Sequence, residues 1–512
     1  MRLLKVLLFA GLAPALAANP AAAQKSQDTI RLGMNVIVSR LSQYHEPIDE
    51  ASTFYNRVWE SVVAYDEYQK KFVPQLAKSW KRLDATTLEF DLRDDVKFHN
   101  GNKFDADDVV ATLNYLADPK TALRYKNRYD WVKSAEKLGP YKVRVTTTGP
   151  NAIDLGLLAY RYNIQDAETM AGLADKEDYG RLTPYGTGAY RVAEIDKNKG
   201  IIVERYDDYV GDKKYARTPV KRVHGVFTTD RQTQIAQLLT GGLDIIKNVI
   251  QDQANDLKTK PGVAITAKPG GAMAYFVLDA SGQAGNAALK DPRVREAMFA
   301  AIDLDAIIKY IVPGGEVAVK MDVPCFESTI GCKYSKKPPA YDPARAKKLL
   351  AEAGYPNGFD FIYDVYNPIK DIAVAIAGDL TKVGVRTKVV PDTIQIYRKK
   401  QGDHALQGWS LFYPLGSHPD ASSSLAIWFS GERAAYFDND PIVLEAMEAA
   451  ESELDPEKRE DLYQTAFDRI TEMHYVLPIS SIPSVYAHSK DVAILDDPLS
   501  TSEQFIGDFA FK

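Results

Sequence analysis

Residues Leu76 to Leu116 read LAKSWKRLDATTLEFDLRDDVKFHNGNKFDADDVVATLNYL. Leu88, Phe90 and Leu92 alternate with Glu89, Asp91 and Arg93, the period of a strand with one buried face, and Val96 and Phe98 repeat the alternation after the acidic turn at Asp94–Asp95. Asn100–Gly101 supplies a tight turn. Beyond it the period lengthens to that of a helix: Asp105 is placed to cap it, Asp107 and Asp108 fall in its positive first turn, and Val109, Val110 and Leu113 make the buried face. These carboxylates read as structural.

Outward from this strand, turn and helix, the chain continues to mix short strands with clearly started helices. Three helices open on Asp-Pro, at Asp291–Pro292, Asp342–Pro343 and Asp455–Pro456, each with a capping carboxylate before a proline whose missing N–H costs nothing at the first helical position. Asp438–Asp440 reads instead as an acidic turn before Pro441. Strand-like runs at Ile201–Glu204 and Tyr275–Leu278 complete the case for an α/β class.

With 512 residues, 45% hydrophobic and 26% charged, the chain has the composition of a globular protein of two or more domains. The net charge of −6 comes from mixed signs, and no basic run points to nucleic acid. Arg2 and Lys5 precede an apolar run from Val6 to Ala18, shorter than the roughly 20 residues of a spanning helix, and both Ala15-Leu16-Ala17 and Ala21-Ala22-Ala23 fit a cleavage pattern. A Sec-type signal peptide over residues 1–23 is expected, with no cysteine after it to carry a lipid, which favours a periplasmic protein. In that oxidising setting the pair Cys325 and Cys332 reads as a local disulfide; a metal pair or two free thiols are the alternatives.

The Leu76–Leu116 stretch closely resembles the signature region of the family 5 extracellular solute-binding proteins, the dipeptide-, oligopeptide- and nickel-binding components of bacterial ABC importers. The resemblance continues through TPYGTGAY at Thr183–Tyr190, ERYDDYVG at Glu204–Gly211, GLDI at Gly242–Ile245, DPRVREAMFAAI at Asp291–Ile302, YDPARAKKLLAEAGYPNGF at Tyr341–Phe359, and Gly408–Trp409 ahead of His418–Asp420. It implies a two-lobe periplasmic binding protein of type II, cluster C, whose cleft closes on a hinge. The first lobe would take residues 26–271 plus 479–512, with 57–181 as an extra subdomain, and the second residues 272–478. Pro269-Gly270-Gly271 and Pro478–Pro483 are the expected crossings. The implied function is to capture a peptide-like solute and deliver it, as a monomer without cofactor, to permease subunits with an associated ATPase.

Ligand contacts are expected in the loop after the Gly-Trp pair, where peptide-binding relatives carry an early acidic residue for the α-ammonium. Here the loop reads WSLFYPLGSHPD from Trp409 to Asp420, and its first carboxylate is Asp420. Trp409, Tyr413, His418 and Asp420 are the candidates there; Tyr397 and Arg398 precede them, and Tyr44, His45 and Glu46 stand at the N-terminal edge of the expected cleft. The altered loop leaves an oligosaccharide, an opine-type conjugate or a nickel chelate as alternative solutes. The seven histidines form no HxH or HExxH arrangement. A secreted hydrolase is the reading from another class, and it lacks a GxSxG or zincin motif.

Overall fold

The computed structural model describes residues 28–47, 51–212, 216–414 and 418–512, without the side chains of Tyr413 and Pro414. The expected leader at 1–23 lies outside the described residues.

Two long antiparallel strands, Val263–Leu278 and Val476–Ser489, run side by side through the molecule from the pair Val263 and Ser489 to the pair Val277 and Val476. One half of this ribbon continues sideways into Ile245–Lys247, Thr29–Met34, Arg222–Phe227, Gly200–Arg205 and Tyr190–Asp196; the other continues into Gly408–Pro414, Asp360–Tyr366 and Arg386–Asp392. The result is a mixed sheet of ten strands shared by two lobes, with the ribbon as its only crossing among the described residues.

Within the second lobe the period of two along the ribbon sorts side chains to opposite faces. Ala274, Phe276 and Leu278 join a core closed by the helices Pro292–Ala300, Pro343–Glu352 and Lys370–Lys382. Met273, Tyr275 and Val277 join another, closed by Ala421–Phe429, Pro441–Ser452 and Pro456–Glu472. Between the lobes the ladder breaks. Lys268 pairs with Ser484 and Ala272 with Ile482, so Pro269, Gly270 and Gly271 stand opposite Pro483 alone. A Cβ on Gly270 would lie 1.8 Å from the Ile482 carbonyl oxygen, so glycine is what allows the two backbones to approach there.

The extra subdomain has its own core around a four-stranded antiparallel sheet ordered Ala77–Asp84, Thr87–Leu92, Lys142–Thr147, Val132–Gly139. Leu88, Phe90 and Leu92 are buried on one face of it. The helix Ala106–Ala117 begins as a capping box, in which the Asp105 carboxylate accepts from Asp107 N at 2.7 Å while Asp108 accepts from Asp105 N at 2.8 Å. Asp291, Asp342 and Asp455 cap their helices. The acidic turn expected before Pro441 is a fourth helix start of the same kind: Asp440 caps Pro441–Ser452, and its carboxylate also accepts from Arg469 Nε at 2.8 Å and Tyr475 Oη at 2.9 Å. Those extra donors, distant in sequence, make the helix start worth burying.

Candidate functional site

The extra subdomain and the second lobe touch across the cleft through a set of specific contacts. Ala152 N donates to the Glu451 carbonyl at 2.9 Å, and Arg459 Nη1 donates to the Ala152 carbonyl at 3.1 Å. Tyr65 Oη donates to the Ser328 carbonyl at 3.0 Å. Beside them Gly156, in the helix Asp154–Arg161, lies so near Pro419 that a Cβ there would come within 3.1 Å of its Cδ. These contacts form a clasp between the extra subdomain and the second lobe.

The second-lobe half of the clasp is held by two loops that pair with each other. Cys325 and Cys332 are joined, with Cα atoms 5.8 Å apart, and the loop between them presents Ser328 to Tyr65. Its Ile330 N donates to the Pro419 carbonyl and its carbonyl accepts from Ala421 N, both at 2.9 Å. Asp420 caps the helix Ala421–Phe429, accepting from Ser422 N at 3.0 Å, from Tyr463 Oη at 2.5 Å and from Arg459. Its carboxylate is therefore committed to neighbours inside the lobe. Arg459 links the two roles, pairing with Asp420 on its own lobe and reaching Ala152 on the other.

His418 is buried in the same loop; burial first, then the charges of Arg161 and Arg459, push its pKa down to about 3. The imidazole is thus neutral at ordinary pH, and its Nδ1 has no hydrogen-bond partner among the described residues.

Trp409 sits elsewhere. It pairs with Val277, five residues along its strand from Pro414, which pairs with Ala272 at the hinge, so it stands roughly 17 Å deeper in the lobe. Only 1% exposed, its ring packs on Tyr436 and Phe437 at centroid distances of 4.6 and 6.5 Å in the second lobe's core. Tyr397 is fully buried in that core, and Arg398 is exposed, bonded to Gln401 Oε1 at 2.9 Å. Tyr413 has its backbone at the hinge end of the strand, and its side chain lies outside the described residues.

Tyr44 lies in the core of the extra subdomain, where its hydroxyl donates to the Asn163 carbonyl at 2.6 Å and its ring meets Tyr129 edge-on. His45 is half-buried, 3.4 Å from the Tyr115 hydroxyl, and burial lowers its pKa. Glu46 accepts from Ser39 Oγ at 2.7 Å.

Several residues near the hinge or in the clasp helix carry no motif. Tyr366 and Phe412 stand at or near the carboxyl ends of their strands, only partly buried, with ring centroids 5.5 Å apart. Tyr160 and Arg161 end the clasp helix. Ser502 and Glu503 pass beside the hinge, within 3.5 Å of a Cβ placed on Gly271. Only the folded register places each of these segments, and for Ser502 and Glu503 the signal in the sequence is the glycine pair opposite them. Among the described residues no three His, Cys, Asp or Glu side chains converge as a metal site would need.

The sequence profile of the family described as bacterial extracellular solute-binding proteins, family 5 Middle, matches residues 71–436. The heme-binding protein A of Haemophilus influenzae is 29% identical over 390 residues, covering 69% of each chain. The glutathione-binding protein GsiB of Escherichia coli K12 is 26% identical over 431 residues, 80% of each chain. The periplasmic binding protein DppA of Helicobacter pylori, solved with the peptide STSA, superposes with a TM-score of 0.72 at 23% identity over 95% of this chain and 99% of its own.

Proposed function

The chain belongs to the bacterial extracellular solute-binding proteins of family 5, and from that premise we propose that it captures a small peptide-like solute between its lobes and delivers it to an ABC permease. The observation that carries this reading is the clasp. Hydrogen bonds made only when the lobes are together, in addition to the two-strand hinge, give the closed state a defined geometry in which a solute is enclosed. A solute that touches both walls adds the differential affinity that moves the equilibrium toward closure.

The cleft surfaces support a peptide-like ligand in a particular way. Tyr366 and Phe412 offer aromatic faces, and Arg161 and Glu503 bring charges of both signs to the extra-subdomain wall and the floor by the hinge. Asp420 is committed to Arg459, Tyr463 and its own helix, so recognition of a ligand ammonium falls to another acceptor of the cleft walls. Tyr413 remains a proposed contact at the hinge end of its strand. Residues 26–271 with 479–512 form the first lobe in this reading and 272–478 the second. The protein acts as a periplasmic monomer released from its leader, and it returns its ligand unchanged.

Thermal-shift titration of refolded, ligand-stripped protein tests the proposal, using di- to pentapeptides, oligosaccharides, opines, and nickel with histidine. A ligand at about 100 times its dissociation constant adds about 2.7 kcal/mol. Stabilisation by peptides, lost on N-acetylation, is the expected result. Stabilisation by sugars, opines or chelated nickel alone would replace the peptide reading, and chemical turnover of a bound ligand would overturn the transport reading.

A further inference from the structure

A cavity of 620 Å³ lies outside the cleft, where the extra subdomain meets the first lobe and the C-terminal segment. None of the residues lining it comes from the second lobe. Its apolar wall is Ala64, Val73, Pro74 and Leu499. At its rim the charges are paired, Lys78 with Asp94 at 2.6 Å and Arg93 with Asp95 at 2.8 Å. Glu60 differs from them. It is 6% exposed, and the donor on its Oε1 is the neutral hydroxyl of Tyr209, at 2.9 Å. Among the described residues the cations of the lining are turned elsewhere: Arg93 holds Asp95 and the Val210 carbonyl, Arg57 pairs with Asp497, and Lys78 with Asp94.

A buried carboxylate with a neutral partner is costly to ionise unless a cation joins it. Burial indeed pushes the Glu60 carboxyl up, against smaller opposing effects from Tyr209, Thr187 and Arg93. The volume is that of a small-molecule site, and the junction of two structural units is a common place for one. We propose that this cavity binds a small organic amine, with the protonated nitrogen against Glu60 and the carbon skeleton on Ala64, Val73, Pro74 and Leu499. The site is independent of solute capture in the cleft, and an occupant here would tie the extra subdomain to the first lobe.

Ligand-observed NMR on the full mature protein tests this with benzylamine and 1,4-diaminobutane, each beside its alcohol counterpart, benzyl alcohol and 1,4-butanediol. An amine should bind about tenfold or more tightly than its alcohol, the difference expected of a charge-assisted bond. Glu60→Gln keeps the shape of the side chain and should erase that preference. Ala64→Leu fills the apolar wall without touching the carboxylate and should weaken amine and alcohol alike. Amine binding should also release protons increasingly as pH falls, seen by calorimetry in buffers of different ionisation enthalpy. Failure of both amines to bind, equal binding of amine and alcohol, or an unchanged amine affinity in folded Glu60→Gln would each overturn the proposal.

Discussion

Arg459 donates to the main-chain carbonyl of Ala152 at 3.1 Å across the cleft, while the same guanidinium holds Asp420 on its own lobe. The residue that fixes the loop is thus also the residue that senses closure. Arg459→Met leaves Asp420 buried without its cation and should destabilise the protein by about 3–5 kcal/mol in urea unfolding. Adding Asp420→Asn should restore part of that stability without restoring ligand affinity, because the bond to Ala152 stays lost. Recovery of both together would mean that the cross-cleft bond carries no closure energy.

Trp409 and Phe412 belong to one strand and should respond differently. Trp409→Ala opens a cavity against Tyr436 and Phe437 and should cost the empty protein about 3–5 kcal/mol. Phe412→Ala, near the hinge end, should leave the empty protein closer to wild type and weaken ligand binding by about 1–3 kcal/mol. Melting curves with and without ligand separate the two effects.

The buried histidine in the clasp makes stability depend on pH. Unfolded, His418 titrates near about 6.5; folded, near about 3. The folded chain therefore binds fewer protons between these values. Its contribution is complete above the unfolded pKa and is lost as pH falls toward the folded one. The groups acting on it are Arg161 from the extra subdomain and Arg459 from the second lobe, both cations. Opening the cleft removes Arg161 and admits water, so acid should also favour the open form. His418→Gln should flatten the fall in stability and ligand affinity between about pH 6 and about pH 4 relative to wild type.

Cys325 and Cys332 close a short loop, and in the chain-entropy model such a closure contributes about 2.5 kcal/mol. Reduction should lower the melting temperature accordingly and, because the loop carries Ser328 to Tyr65, should weaken ligand binding as well. Tyr65→Phe isolates the second effect: the affinity should drop by about 0.5–1.5 kcal/mol with the disulfide intact. An unreduced protein that reacts fully with a thiol reagent would contradict the bridge.

Local pattern reaches the scaffold and stops short of the site. Leu88, Phe90 and Leu92, the Asp105 cap and the three Asp-Pro helix starts are decided by neighbours a few residues away, so their sequence suffices. Asp440 carries the same local Asp-Pro signal, obscured by the acidic run Asp438–Asp440, whereas its burial rests on Arg469 and Tyr475 about 30 residues downstream. Trp409 shows the limit most clearly. Its motif puts it on a ligand-facing strand, yet strand register with Val277 and packing on Tyr436 decide which end of that strand it occupies. Asp420 is the first carboxylate of its loop, but its commitment to Arg459 and Tyr463 depends on how a later helix docks.

The ribbon of Val263–Leu278 and Val476–Ser489 also sets an order of assembly for a chain that emerges from its N-terminus. The strand Val476–Ser489 fills the place between Val263–Leu278 and Ile245–Lys247. Until it is delivered, the first lobe's sheet has a gap one strand in from its Val263–Leu278 border, even though most of that lobe has long since emerged. The second lobe is one uninterrupted stretch and lacks only a border strand until then. Vectorial emergence therefore completes the middle of the ten-stranded sheet after both its flanks, and the earlier half must wait, with an unpaired edge on Ile245–Lys247, for a partner more than 220 residues downstream.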